Sequence, residues 1–152
     1  MGERKSKLLE TKNQVSNLQS GWNLKYLHFR SVDNFIFHFD QINNEADKQW
    51  IFDTLINYFI VCKEIDEVVD REMGNQLYSE FLDKIANYYR YKLNFIMAIN
   101  KVGYFIFFLI IFFLAGFLFS FLIASFIIPM YILFLIYIDR KQKQKKVYGV
   151  FY

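Results

Sequence analysis

Turn-making residues are scarce in this chain. Among 152 residues there are 6 glycines and 1 proline, too few for the many turns of a sandwich or a barrel. A few long helices need no such supply, so the expected fold class is all-α. Cysteine is almost missing as well. The lone thiol, Cys62, excludes an intramolecular disulfide and a cysteine-rich metal site. Histidine occurs only at His28 and His38. Neither belongs to an HExxH pattern or to a cluster of carboxylates at ligand spacing, so both read as structural. The glycines are too dispersed to form a phosphate-cradling loop. No catalytic residue, cofactor or metal is expected, and the chain does not read as an enzyme.

What is present is apolar. The chain is 55% hydrophobic and 21% aromatic, with 19 Phe and 11 Tyr, which is too oily for an ordinary soluble domain of this length. Phe, Ile, Tyr, Asn and Lys are favoured throughout. Their codons are AT-rich, which fits an organellar genome or an AT-rich bacterium. The extreme lies between Val102 and Ile138, where no side chain is charged. As one straight helix this stretch would be about 55 Å long, against a bilayer hydrocarbon of about 30 Å. Two crossings fit better, so 96–139 is expected to form a transmembrane helical hairpin. Arg90, Lys92 and Lys101 precede the run, and Arg140, Lys141, Lys143, Lys145 and Lys146 follow it. With cations at both ends and none in the middle, both flanks belong on one cytoplasmic or matrix side.

The expected turn lies near Ala115 to Ser120. Gly116, Ser120 and Ala124 recur every fourth residue and admit two readings. They ease the turn, or on a continuous helix they form a smooth stripe for helix packing. The length argument favours the turn. Pro129, four residues after Ser125, reads as a tolerated kink. The run holds no Asp, Glu, Lys, Arg or His, which argues against a transport path built by this chain alone.

Ahead of the membrane run, Asn44 followed by Glu45 and Asp47 reads as a helix N-cap with acids in the first turn. Ile51, Leu55, Tyr58, Cys62, Ile65 and Val69 then follow at alternating spacings of four and three, an apolar seam for helix–helix packing. This predicts a helix over 46–73, stopped at Gly74 and Asn75. Leu77, Phe81, Ile85, Tyr88 and Phe95 continue at helical spacing with no stop signal. Residues from Gln76 onward are therefore expected to run as one helix into the membrane, and 45–95 to form an antiparallel helical hairpin. Residues 1–44 read as a weakly structured, mostly helical region that needs a partner surface. The opening residues carry both charge signs and lead into no apolar core, so no secretory signal is expected. Gly2 and Ser6 match a short myristoylation pattern, weakened by Glu3.

The tail, 140–152, is basic and then aromatic. Lysines and arginine beside a membrane helix attract anionic lipid headgroups, at about 1 kcal/mol each. The basic run lacks the interleaved aromatics of a single-strand groove, so no nucleic acid is expected as a partner. No motif ties the chain to a family, and cytosolic helices followed by a transmembrane hairpin do not by themselves determine function. The expectation is a non-catalytic accessory or structural subunit of a larger inner-membrane complex, such as a respiratory or energy-transducing one. The membrane is mitochondrial or bacterial, with both termini on the matrix or cytoplasmic side. A hetero-complex is favoured over a homo-oligomer. The alternative is a small bacterial membrane effector or immunity protein, whose cytosolic helices sense a partner and whose hairpin oligomerises.

Overall fold

The computed structural model describes residues 2–98, 101–118 and 125–149. The chain is mostly helical, as the shortage of turn residues predicts. It divides into two compact units, the first comprising Met1–Met97 with Lys146–Tyr152 and the second Ala98–Lys145.

The first unit begins with α1 (Glu3–Leu18), α2 (Gly21–Tyr26) and α3 (Phe29–Phe37), followed by a 3-10 turn at Phe39–Gln41. It continues with α4 (Glu45–Lys63), α5 (Arg71–Leu77), a π-helical turn at Tyr78–Leu82 and α6 (Asp83–Leu93). Asn44 caps α4 by accepting from the Ala46 and Asp47 amides at 2.8 and 3.1 Å. Of the predicted seam, Ile51, Leu55, Tyr58, Cys62 and Val69 are fully buried and Ile65 half-buried. The partner surface that α1 needs is α4. Leu8 and Val15 supply its apolar contacts. Its cations reach acids on the elements opposite, Lys12 to Asp33 at 2.7 Å, Lys5 to Asp40 at 2.8 Å and Arg4 to Glu45 at 2.8 Å.

Three features depart from the sequence expectation. The seam helix ends at Lys63 rather than running to residue 73. Glu64, Asp66, Glu67 and Asp70 would crowd the negative end of a helix, and Gln19 and Asn23 satisfy the backbone of 62–69 instead. Asp70 then starts α5 by accepting from the Met73 amide at 2.8 Å. Ile65 and Val69 are therefore packed from a loop and not from a helix face.

Gly74 does not stop a helix either; it lies inside α5. It is needed there because a Cβ would sit 2.6 Å from the Tyr26 carbonyl oxygen. Finally, α6 does not run on into the apolar segment. Asn94 takes a left-handed conformation (φ 59°) and ends it, a role asparagine fills more cheaply than most residues. Phe95 then turns back into the core, its amide bonded to the Tyr89 carbonyl at 3.2 Å. Replacing Asn94 with Ala is expected to lower unfolding stability by about 0.5–1 kcal/mol, because alanine lacks the short polar side chain that eases the left-handed conformation. Urea unfolding followed by Trp fluorescence measures it.

The strand pair that closes the first unit is short. β1 (Ile96–Met97) pairs in parallel with β2 (Val147–Tyr148), in the register Ile96↔Val147 and Met97↔Tyr148. Parallel strands need a long crossover. Here that crossover is the second unit.

In the second unit, α7 (Lys101–Leu118) and α8 (Ile127–Lys143) lie side by side. Lys101 bonds Asp139 at 2.6 Å, Tyr104 stacks near Phe134 at 5.2 Å, and Phe108 near Tyr131 at 4.9 Å. Rising numbers on one helix meet falling numbers on the other, so the pair is antiparallel. Among the described residues, no helix is long and apolar enough to cross a membrane. At about 1.5 Å per residue, α7 rises roughly 27 Å and α8 roughly 25 Å, and α8 ends in a charged turn.

Candidate functional site

The surface most unlike an ordinary protein exterior belongs to the α7–α8 pair. Antiparallel packing turns one stripe of each helix inward, and Phe108 and Phe134 face each other at 5.9 Å. Because the sequence is apolar all round, the outward stripes are apolar too. Phe117 is 87% exposed, and Ile106, Phe107, Phe113, Met130 and Leu133 are also exposed. Single exposed apolar residues are commonplace, but contiguous ones mark a surface meant to be covered. Between the helices lies an open cleft of about 200 Å³, with Phe105, Phe112, Ile127 and Tyr131 among its walls. The Lys101–Asp139 ion pair joins the start of α7 to α8. Its members are half-exposed, so it sets register more than it stabilises.

The predicted headgroup residues divide. Arg140, Lys143 and Lys145 are exposed, and Lys146 is half-buried. Lys141 is buried, with its ammonium 5.5 Å from the Tyr137 ring centre. Lys145 takes a left-handed conformation (φ 55°) where α8 ends. Of the three small residues, Gly116 lies half-buried within α7. The helix continues to Leu118, so the turn does not start at Ala115. Ser120 and Ala124 lie outside the described residues.

The first part of the aromatic tail docks into the first unit. Asn34 donates to the Val147 carbonyl at 2.7 Å. Ser31 Oγ accepts from the Gly149 amide at 3.1 Å and donates to the Gly149 carbonyl at 3.2 Å. Gly149 has φ 148°, a conformation that side chains disfavour. Tyr148 joins an aromatic cluster with Phe35, which also packs against Tyr89 and Phe95. Burial raises the Tyr148 pKa, partly offset by Arg90.

The histidines and the thiol are held in structural roles. His28 is fully buried, and its Nε2 donates to the Gly74 carbonyl at 3.1 Å. Burial lowers its pKa below 6.5, against hydrogen bonds to the Gly74 and Gly149 backbone that raise it. The folded protein thus binds this proton less readily than the unfolded chain. Stability is complete above about pH 6.5 and falls as pH drops toward the lowered value. Urea midpoints at pH 7.5 and 5.5 should differ in that direction, and His28→Gln should flatten the difference. His38 packs edge-on against Phe37 and Phe95. Burial pushes the Cys62 thiol up to about 12, so no reactive thiolate forms near neutral pH. The Tyr58 hydroxyl, whose pKa burial also raises, donates to the Leu27 carbonyl. Among the described residues, no three His, Cys, Asp or Glu side chains are grouped to hold a metal.

No family model matches the chain, and comparison with curated proteins and with solved structures returns no match.

Proposed function

We propose that this chain is a non-catalytic accessory subunit of an inner-membrane complex, anchored by the α7–α8 hairpin, with its helical domain on the matrix or cytoplasmic side. The observation that carries this reading is the outward-facing apolar surface of two paired helices. No charge interrupts the sequence between Val102 and Ile138, and in water such a surface would drive aggregation. Each described helix falls short of a full crossing, but the sequence between them, 119–124, contains no charged residue that would keep it out of hydrocarbon.

Chain connectivity supports a hairpin that returns to the side it left. The run departs after Met97 and comes back at Lys146, and the two ends belong to one strand pair. Arg140, Lys143 and Lys145 are exposed at the returning end, as positive-inside placement would have them. Such residues favour anionic headgroups. The absence of Asp, Glu, Lys, Arg and His between Val102 and Ile138 suits a structural role better than a conducting one.

Mild detergent extraction from the native membrane, followed by native mass analysis, tests the assignment. Co-migration with several other subunits at fixed stoichiometry is the expected result. A monodisperse single chain would overturn it, as would a homo-oligomeric ring, which the effector reading requires.

A further inference from the structure

The loop between α4 and α5 has no regular secondary structure, yet its backbone is tied at several points. The Gln19 amide donates to the carbonyls of Cys62 and Ile65, at 2.9 and 2.8 Å. Asn23 donates to the Glu67 carbonyl at 3.0 Å and accepts from the Val69 amide at 2.9 Å. On this fixed frame Val68 stands 73% exposed, and Leu18, at the end of α1, is 67% exposed. Both line an open groove of about 390 Å³, together with the carboxylates of Asp66 and Glu67. Glu64 is exposed next to them. The groove's own cation, Lys63, has its ammonium 2.6 Å from Gln14 Oε1. From Lys63 to Glu72 carboxylates outnumber cations, in a chain whose formal net charge is +3.

An ordered loop that holds a branched aliphatic side chain in water, beside a second aliphatic and a rim of one charge sign, is pre-organised for a complementary surface. The sign decides the class of occupant. Anionic lipid and nucleic acid would be repelled by Asp66 and Glu67. We propose that this groove docks a cationic amphipathic helix from a neighbouring protein subunit. Its apolar anchor would seat between Leu18 and Val68, with Lys or Arg meeting Asp66 and Glu67. The inference rests on the accessory-subunit reading and names the chemistry of the partner that reading requires.

The test uses the full chain in maltoside micelles and a dye-labelled amphipathic peptide of leucine and lysine, read by fluorescence anisotropy. Empty micelles give the baseline, and a leucine–glutamate peptide of the same pattern is the control. The lysine peptide is expected to bind and the glutamate peptide not to. Asp66→Lys with Glu67→Lys should weaken binding at least tenfold. Leu18→Ser with Val68→Ser, which keeps every charge, should weaken it at least fivefold. All four positions are exposed, and helicity by circular dichroism checks that the variants fold. Unchanged binding by the serine pair would mean that charge alone attracts the peptide, and would overturn the groove, as would no binding of the lysine peptide. Failure here, in a chain that still co-migrates with other subunits, would sink the groove alone. Peptide binding by a chain without companions in its membrane would sink the accessory reading alone.

Discussion

Two arginines in α7, Leu109→Arg with Phe113→Arg, are expected to move the chain from the membrane fraction to the soluble or aggregated fraction, whereas either one alone is not. The magnitudes make this distinction. The roughly 13 Val, Ile, Leu and Phe residues of α7 each favour insertion by about 0.3–0.6 kcal/mol, or about 4–8 kcal/mol together. One arginine near the helix centre costs about 2.5–3.5 kcal/mol and leaves a favourable balance. Two cost about 5–7 kcal/mol and erase it. Phe113 is exposed on the outer face of α7, and Leu109 is exposed at the wall of the cleft between α7 and α8. Fractionation of membranes carrying each variant measures the effect. If the double variant still pellets with membranes and resists alkaline extraction, α7 does not cross the bilayer.

The second large effect is at Gly74. Adding one methyl, as Gly74→Ala, would place a carbon 2.6 Å from a backbone oxygen of α2 and 3.3 Å from the carbonyl carbon beneath it. Neither atom belongs to a flexible side chain, so α2 and α5 must move apart. That movement also stretches the His28–Gly74 hydrogen bond, which is fully buried. Overpacking of this kind costs about 3 kcal/mol, and stretching a buried hydrogen bond adds about 1 kcal/mol. Against a typical total stability of about 5–15 kcal/mol, the urea midpoint should fall steeply. Gly21→Ala is the internal control, because nothing lies within 4 Å of its added Cβ. It should be neutral, or stabilising by a few tenths of a kcal/mol. Equal effects at the two glycines would contradict the close approach of Tyr26 to α5.

Much of the first unit follows from local rules. The Asn44 cap and the spacing from Ile51 to Cys62 are local or periodic features, and sequence spacing reports those well. Gly74 misled for a physical reason. A glycine after a helical pattern usually supplies a left-handed turn, whereas this one makes room for the Tyr26 carbonyl at the end of α2. The loop at 64–70 was legible in principle, since four acids at a helix C-terminus oppose its dipole and Asp70 is a good N-cap. Asn94 carried a comparable signal, following the basic residues of the last turn.

The docking of Val147 to Gly149 was not legible at all. Ser31 and Asn34 meet the tail across more than a hundred residues. No periodicity or local propensity records a contact at that separation. The apolar run is the reverse case. Its antiparallel pairing follows from length and charge placement alone, while the small-residue pattern at Gly116 is ambiguous because both of its readings need the same residues.

The most direct test of a hairpin that leaves and returns on one side is labelling with a membrane-impermeant maleimide in sealed vesicles of known orientation. Cys62 is buried, so the native background should be low. Cysteines at Ser79→Cys and Lys143→Cys occupy exposed positions in the first unit and at the end of α8, and Phe117→Cys lies near the far end of α7. The account predicts that the first two label from the same cytoplasmic or matrix side, and that Phe117→Cys is protected from that side until detergent is added. Labelling of positions 79 and 143 from opposite sides, or of all three equally in intact vesicles, would contradict it.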